Sequence, residues 1–225
     1  MKNIIYIITL ILTTSVVAQT STSVELENKK MKLALTYNDN AAAAYSLISI
    51  IALEGPQSTY KDSLAYLYYN AGNNISCFLV IEDVLKTKPG NLELLEMKAI
   101  SLESMGALDK AKEAYETLFS KTNKNYHGYK LAGIQMAMNK NEEAFATIKK
   151  TDKLPDIGDV KITFQVNKNY NQEVNLKAAI AYLEGIIALN LEKKIEAKLS
   201  FERAVKLFPD FTLAKSKLTT MNAEK

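Results

Sequence analysis

The chain is short of the residues on which most catalytic and metal sites depend. Cys77 is the only cysteine and His127 the only histidine among 225 residues. A single cysteine excludes an intramolecular disulfide. One histidine leaves almost nothing from which to build a histidine-based catalytic triad or a multi-histidine metal site. We therefore predict that the protein is not an enzyme and that it holds no metal and no cofactor, and we expect His127 to be a surface or groove residue.

An excess of charge of one sign is also absent. The chain has 28 lysines and arginines against 25 aspartates and glutamates, for a formal net charge of +3. Lysines are interleaved with glutamates, whereas a nucleic-acid-binding protein usually concentrates its basic residues in one stripe. We therefore expect no nucleic-acid partner.

An apolar segment with the flanks of a targeting sequence lies at the N-terminus. Met1 is followed by a lysine, a mostly apolar run from Ile4 to Leu12, and a Val-x-Ala sequence ending at Ala18. This order is typical of a secretory signal peptide, and the run is shorter than the about 20 residues that a membrane span needs. We predict a signal peptide at residues 1–18, cleaved after Ala18, and an exported chain of residues 19–225 that is periplasmic or secreted and has no membrane span. The alternative is an uncleaved N-terminal anchor.

A repeated pattern occupies the region from Tyr60 to Asn123. Its recurring positions are separated by 34 residues (99 − 65, for example), and the pairs are Ala65 and Ala99, Gly72 and Gly106, Cys77 and Ala111, Ile81 and Tyr115, and Pro89 and Asn123. A fixed period of this length predicts stacked helical hairpins.

The residue types explain the period. Gly72 and Gly106 can take the positive φ that ends a helix. Small residues such as Ala65 and Cys77 let two helices approach to about 8–10 Å. Pro89 stops the second helix because it has no amide hydrogen and clashes with the preceding turn.

This pattern resembles that of the tetratricopeptide repeat (TPR) family. The family's small residue, aromatic residue and proline recur near the C-terminus as Ala197, Phe201 and Pro209. The resemblance implies an all-α, right-handed solenoid of about five helical hairpins plus a capping helix. It also implies a protein or peptide partner, although repeats of this kind serve many unrelated partners.

An insertion interrupts the repeats. Ala144 and Ala197 are 53 residues apart (197 − 144), which is one period of 34 plus nineteen residues. The insertion covers about residues 153–174, and Val160 to Val166 alternate apolar and polar residues as a half-buried strand does. We predict a short strand or hairpin near residues 155–174. Four roles are open for this segment. It is a structural excursion without a function of its own, it folds over the groove as a lid, it packs on the end of the fourth hairpin, or its strand edge accepts a strand from a partner.

In the TPR family the first helix of each hairpin lines a concave groove. Tyrosines suit such a surface because they give a large contact area and a polar tip. The resemblance places the following residues in this partner-binding groove, and we expect about half of them to be exposed: Tyr66, Tyr69, Asn70, Glu93, Glu96, Ile100, Glu103, Tyr126, Tyr129, Met136 and Tyr182. The lysine and asparagine clamp with which some TPR proteins hold a C-terminal carboxylate is missing, since Asp62, Tyr66, Met97 and Ile100 stand in its places.

We interpret the chain as a protein- or peptide-binding adaptor or scaffold of the bacterial cell envelope. One alternative is a carbohydrate-binding module that uses stacked tyrosines. Another is an enzyme with dispersed carboxylates such as Glu93, Glu96 and Glu103. The oligomeric state and the identity of the partner do not follow from the sequence.

Overall fold

A computed structural model describes residues 23–156 and 158–223. The predicted signal peptide and its cleavage site lie outside the described residues, as does Ile157. The elements in chain order are α1 (residues 23–36), α2 (Asn40–Glu54), α3 (Tyr60–Asn70), α4 (Asn74–Thr87), α5 (Leu92–Ser104), α6 (Leu108–Thr122), α7 (Asn125–Ala137), α8 (Asn141–Asp152), β1 (Lys161–Asn167), β2 (Tyr170–Asn175), α9 (Leu176–Asn190), α10 (Lys194–Leu207) and α11 (Thr212–Ala223).

These helices follow one another in the pairs that the repeat predicted. The pairs are α1–α2, α3–α4, α5–α6, α7–α8 and α9–α10, and α11 stands where the capping helix was expected. The chain divides into two compact units, one ending at Met105 and the other starting at Gly106. We refer to them as unit 1 and unit 2.

Unit 1 contains α1 to α5, and its helices pack on their neighbours in sequence, α2 on α3, α3 on α4 and α4 on α5. The predicted close crossing of α3 and α4 is confirmed. Ala65 and Cys77 are both fully buried, and the Cys77 Sγ atom lies 3.6 Å from the carbonyl oxygen of Ala65. Gly72 has a φ of +68° in the turn between these helices, as its place in the repeat required.

Unit 2 contains α6 to α11 and the inserted hairpin. Its helices also pack in sequence, from α6 on α7 to α10 on α11. The small residues of the repeat, Ala111, Ala132, Ala144 and Ala197, are fully buried. Asn139 and Glu192 take the positive φ in the turns of this unit in place of glycine.

The insertion forms an antiparallel hairpin, which confirms the prediction of strand structure. Ile162 pairs with Val174 and Phe164 with Gln172. The hairpin is anchored to the helices at its buried end. Gln172 donates from Nε2 to the carbonyl oxygen of Asp210 at 2.6 Å and accepts from the Thr212 amide at 3.0 Å, so that it caps the first turn of α11.

The last residue of β2 begins the next helix. The Asn175 side chain accepts from the Ala178 amide at 2.8 Å as the N-cap of α9, and its Nδ2 atom donates to the Leu207 carbonyl at the end of α10. The hairpin is therefore an integral part of unit 2. No helix in the described residues is long and apolar enough to cross a membrane.

Candidate functional site

The predicted groove residues of unit 1 form one surface, which we call the tyrosine–glutamate face. It consists of Tyr66, Tyr69 and Asn70 on α3 and Glu93, Glu96, Ile100 and Glu103 on α5. The four α5 residues lie at positions i, i+3, i+7 and i+10, and residues at this spacing share one side of a helix. Asn70 and Glu93 are exposed and the other five are half-buried.

One lysine of α3 and one lysine of α5 pair with carboxylates of α4. Lys61 of α3 pairs with Asp83 of α4, and Lys98 of α5 pairs with Glu82 of α4. The two lysines are therefore directed toward α4. Glu93, Glu96 and Glu103 lie on another side of α5 from Lys98.

Hydrogen bonding and charge connect the tyrosines of α3 to the glutamates of α5. The Tyr66 hydroxyl donates to the Glu93 carboxylate, which, together with desolvation and the charges of Glu93 and Asp62, raises the pKa of Tyr66 to about 12. Burial raises the pKa of Tyr69, and the Glu96 charge raises it further. Both phenols are therefore neutral at physiological pH and remain available as polar tips on the face.

Removing the Glu93 charge should change the titration of Tyr66. In Glu93→Gln we expect the pKa of Tyr66 to fall from about 12 toward the ordinary value of about 10. Because the folded-state pKa is the higher one, the stability contributed by this hydrogen bond is fully present below about pH 10 and is lost as the pH rises through about 12. Titration by the ultraviolet absorbance of ionised tyrosine tests this, with Glu103→Gln as the control. Identical curves for the wild type and Glu93→Gln would contradict it.

The same tyrosines also serve the core of unit 1. The rings of Tyr66 and Tyr69 pack against a cluster that includes Cys77, Leu94 and Met97. One side of each ring is thus held by the protein, which fixes its orientation and lowers the entropy cost of a contact with a partner.

The predicted groove residues of α7 in unit 2 surround a glycine. Tyr126, Tyr129 and Met136 are half-buried and pack against the core that contains Ala132 and other apolar residues. Gly133 lies on the same side of α7 as Tyr129 and Met136, and a Cβ atom added there would have nothing within 4 Å. The α7 backbone is therefore accessible between these side chains, and glycine often marks the place where a ligand approaches a backbone closely.

Sequence reasoning missed this gap, although a signal for it exists. Gly133 stands 33 residues after Ile100 (133 − 100), at the place in α7 that corresponds to the middle of the α5 surface. A glycine inside a helix lowers helix stability by about 1 kcal/mol relative to alanine. A glycine at a surface position of a helix therefore indicates that the space above it is kept open.

Tyr182 on α9 differs from the other predicted groove residues because the inserted hairpin contacts it. Its ring centroid lies 5.4 Å from that of Phe164 in β1 and 4.9 Å from that of Phe211 before α11. Burial in this aromatic cluster raises the pKa of Tyr182. A partner can therefore reach only the part of Tyr182 that these rings leave open.

His127 does not lie where we expected it. The side chain is 2% exposed, and its Nδ1 atom lies 2.7 Å from the Thr122 hydroxyl. The expectation of a surface or groove position is therefore wrong. Residues 127, 131 and 134 share one side of α7, and Leu131 and Ile134 are buried, so the helix period carries His127 into the core.

Within residues 23–156 and 158–223, no group of three or more His, Cys, Asp or Glu side chains is arranged to hold a metal ion. The surfaces described above consist of tyrosines, glutamates, a methionine and an exposed backbone segment. Their chemistry is that of recognition, by hydrogen bonds, charge and apolar contact.

No known family model matches the sequence, and no curated protein matches it either. Solved structures do match. A crystal structure of MamA is 12% identical over 83% of this chain and 92% of its own, with a TM-score of 0.64. MamA from Desulfovibrio magneticus RS-1, residues 41 to the end, is 13% identical over 84% of this chain and 97% of its own, with a TM-score of 0.63.

A third structure is YrrB, described as a TPR protein with an unusual peptide-binding site. It is 14% identical over 88% of this chain and 96% of its own, with a TM-score of 0.64. At these identities the likeness shows the fold alone. The chain has the tetratricopeptide-repeat fold, as its 34-residue period predicted.

Proposed function

We propose that this chain is a protein- or peptide-binding adaptor of the bacterial cell envelope that holds its partner on the first helices of its hairpins. The observation that carries the proposal is the tyrosine–glutamate face, where Tyr66 and Tyr69 are held by the core while their hydroxyl groups lie near carboxylates. The location in the envelope rests on the predicted signal peptide. The peptide-binding site described for YrrB supports this kind of function for the fold.

The chemistry of the face indicates what a partner would gain there. Pre-oriented tyrosine rings offer apolar contact area, and aromatic residues dominate the binding energy of many interfaces. The exposed carboxylate of Glu93 would form charge-assisted hydrogen bonds with lysine or arginine side chains of a partner. The gap above Gly133 leaves room for a partner to approach the α7 backbone.

Substitutions on these surfaces should weaken partner capture. Because Tyr66 and Tyr69 also pack against the core, circular dichroism of each variant checks that the chain remains folded. We expect Tyr66→Ala together with Tyr69→Ala to reduce the affinity for a partner captured from an envelope extract by at least about 30-fold, as loss of an aromatic hot spot does. Gly133→Trp should also reduce it, because the indole would occupy the open space. Capture on the immobilised chain, followed by measurement of the dissociation constant for the recovered partner, tests both.

The control is Leu199→Ala, which removes an exposed apolar side chain from α10, a second helix of a hairpin. Partner recovery that is the same for the wild type, the double tyrosine variant and Gly133→Trp would remove the groove hypothesis. Binding to sugars on a glycan array, lost in the double tyrosine variant and without any protein partner, would favour the carbohydrate-binding alternative.

A further inference from the structure

Helix α2 is almost entirely uncharged, although only a third of its residues are buried. Its fifteen residues contain no lysine, arginine or aspartate, and its one glutamate is the terminal Glu54. Helix α9 has the same length and buries ten residues, whereas α2 buries five. A helix that is apolar on all sides is normally buried on all sides. One side of α2 is therefore apolar and lacks cover from the described part of the chain.

The uncovered side is a continuous stripe, which we call the α2 face. Ala41, Tyr45, Ile48 and Ala52 lie at positions i, i+4, i+7 and i+11, and all four are exposed. Tyr45 is 73% exposed and Ile48 is 44% exposed. Beside the stripe lies an open groove of about 490 Å³, whose lining includes Leu67, Tyr68 and Ala71 at the end of α3.

The apolar character continues on α4. Ile75 and Leu79 are 64% and 60% exposed, and they stand 34 residues after Ala41 and Tyr45 (75 − 41 and 79 − 45). Two second helices of unit 1, α2 and α4, thus expose uncharged side chains at equivalent positions, and Tyr45, Ile75 and Leu79 are the large ones. The corresponding positions of α6 hold Asp109 and Glu113 instead.

We propose that the α2 face binds the α2 face of a second copy of this chain. In a two-fold dimer each residue of the interface meets the same surface of the other copy. A face with charges of one sign would repel itself in that arrangement, whereas an uncharged apolar face is complementary to itself. Interfaces between identical subunits are also the most apolar ones.

A lipid surface fits α2 less well. Helices that lie in a membrane interface carry lysine and arginine on their polar side, and α2 has neither. Only six exposed side chains carry the proposed contact, namely the four of the α2 face with Ile75 and Leu79. An interface of this size belongs to the small class, so we expect a weak dimer.

Sedimentation equilibrium of the full chain, and of the chain starting at Gln19, tests the proposal. We expect a mass that rises with concentration toward twice the 25.1 kDa of the full chain, with the corresponding doubling for the shorter one. Ile48→Glu should raise the dissociation constant by at least about 30-fold, and so should Tyr45→Glu. The matched control is Ile195→Glu, since Ile195 is 77% exposed on α10 between charged neighbours.

Both α2 positions are exposed, so circular dichroism should show the same helix content and melting temperature for the variants as for the wild type. The proposal is overturned if the chain is monomeric at every concentration, or if Ile195→Glu dissociates the dimer as strongly as Ile48→Glu. Association that needs residues 1–18 would assign the α2 face to that segment instead. Capture of a different protein by a monomeric chain, lost in Ile48→Glu, would assign it to a hetero-partner. Dimerisation should be unchanged in the variant that carries Tyr66→Ala and Tyr69→Ala, which separates this test from that of the proposed function.

Discussion

Replacement of Arg203 by methionine is expected to lower the free energy of unfolding by about 3 kcal/mol, because it leaves a buried carboxylate without its main partner. Arg203 is the only arginine of the chain. Its Nη2 atom lies 2.5 Å from Oε2 of Glu184, whose side chain is only 3% exposed. Chemical denaturation of the wild type and the variant measures the difference.

The other partners of Glu184 and Arg203 determine how much stability Arg203→Met should lose. Lys149 of α8 lies 3.3 Å from the other carboxylate oxygen of Glu184, and Arg203 also contacts Asp152 of α8 at 3.4 Å. The network therefore ties α8, α9 and α10 together in unit 2. Because Lys149 remains in Arg203→Met, we expect a cost at the lower end of the range of about 3–5 kcal/mol that follows loss of one partner in a buried pair.

Two further variants separate charge from packing. Arg203→Lys keeps a positive charge near Glu184 but cannot contact both carboxylates in the planar manner of a guanidinium, so we expect a smaller loss. The double variant Glu184→Leu with Arg203→Met removes both charges and should recover most of the lost stability, since an apolar pair avoids the desolvation of the ions. A loss below about 0.5 kcal/mol in Arg203→Met, which is typical of an ordinary surface substitution, would show that the pair contributes little.

Addition of one methyl group at Gly185 is the second change with a large expected effect. A Cβ atom at this position would lie 2.5 Å from Cε1 and 2.7 Å from Cδ1 of the Phe201 ring, and that ring is fully buried. Because the ring is buried among other apolar side chains, we expect Gly185→Ala to push α9 and α10 apart at a cost of about 1–3 kcal/mol.

Gly133→Ala is the matched control, and it should change the free energy of unfolding in the opposite direction. The chemical change is the same and both glycines are inside helices, but nothing lies within 4 Å of a Cβ atom at Gly133. Alanine should therefore stabilise the chain by about 0.5–1 kcal/mol through its better helix propensity. Thermal unfolding of both variants tests the pair, and a change of the same sign in the two would contradict the packing described for α7 and α9.

The prediction of the fold succeeded because it rested on short-range rules. The place of Gly72 in a turn and the contact of Ala65 with Cys77 depend on residues close in the sequence and on a period that the chain repeats. The inserted hairpin was predicted for the same reason, since the alternation from Val160 to Val166 is a local pattern. Its attachment to the start of α11 through Gln172 was not, because that contact spans 38 residues.

The candidate site was predicted less completely. The family resemblance named Tyr66 and Glu93 as surface residues, yet it did not show that their side chains are joined by a hydrogen bond. It named Tyr182 without showing that Phe164 packs against it. His127, which we expected to be a surface or groove residue, is buried because the helix period carries it into the core. That the groove residues bind a partner stays a prediction.

The sequence by itself determined the repeat, the helix pairs, the turns and the interrupted spacing, because each of these follows from backbone preference and residue size within a few tens of residues. The tertiary structure decided which polar groups are buried together, as in Glu184 and Arg203, and which apolar residues remain uncovered, as on α2. Burial is a property of the neighbours that a side chain meets in space. Helices of similar apolar composition, α2 and α9, can therefore have different surroundings that no local pattern distinguishes.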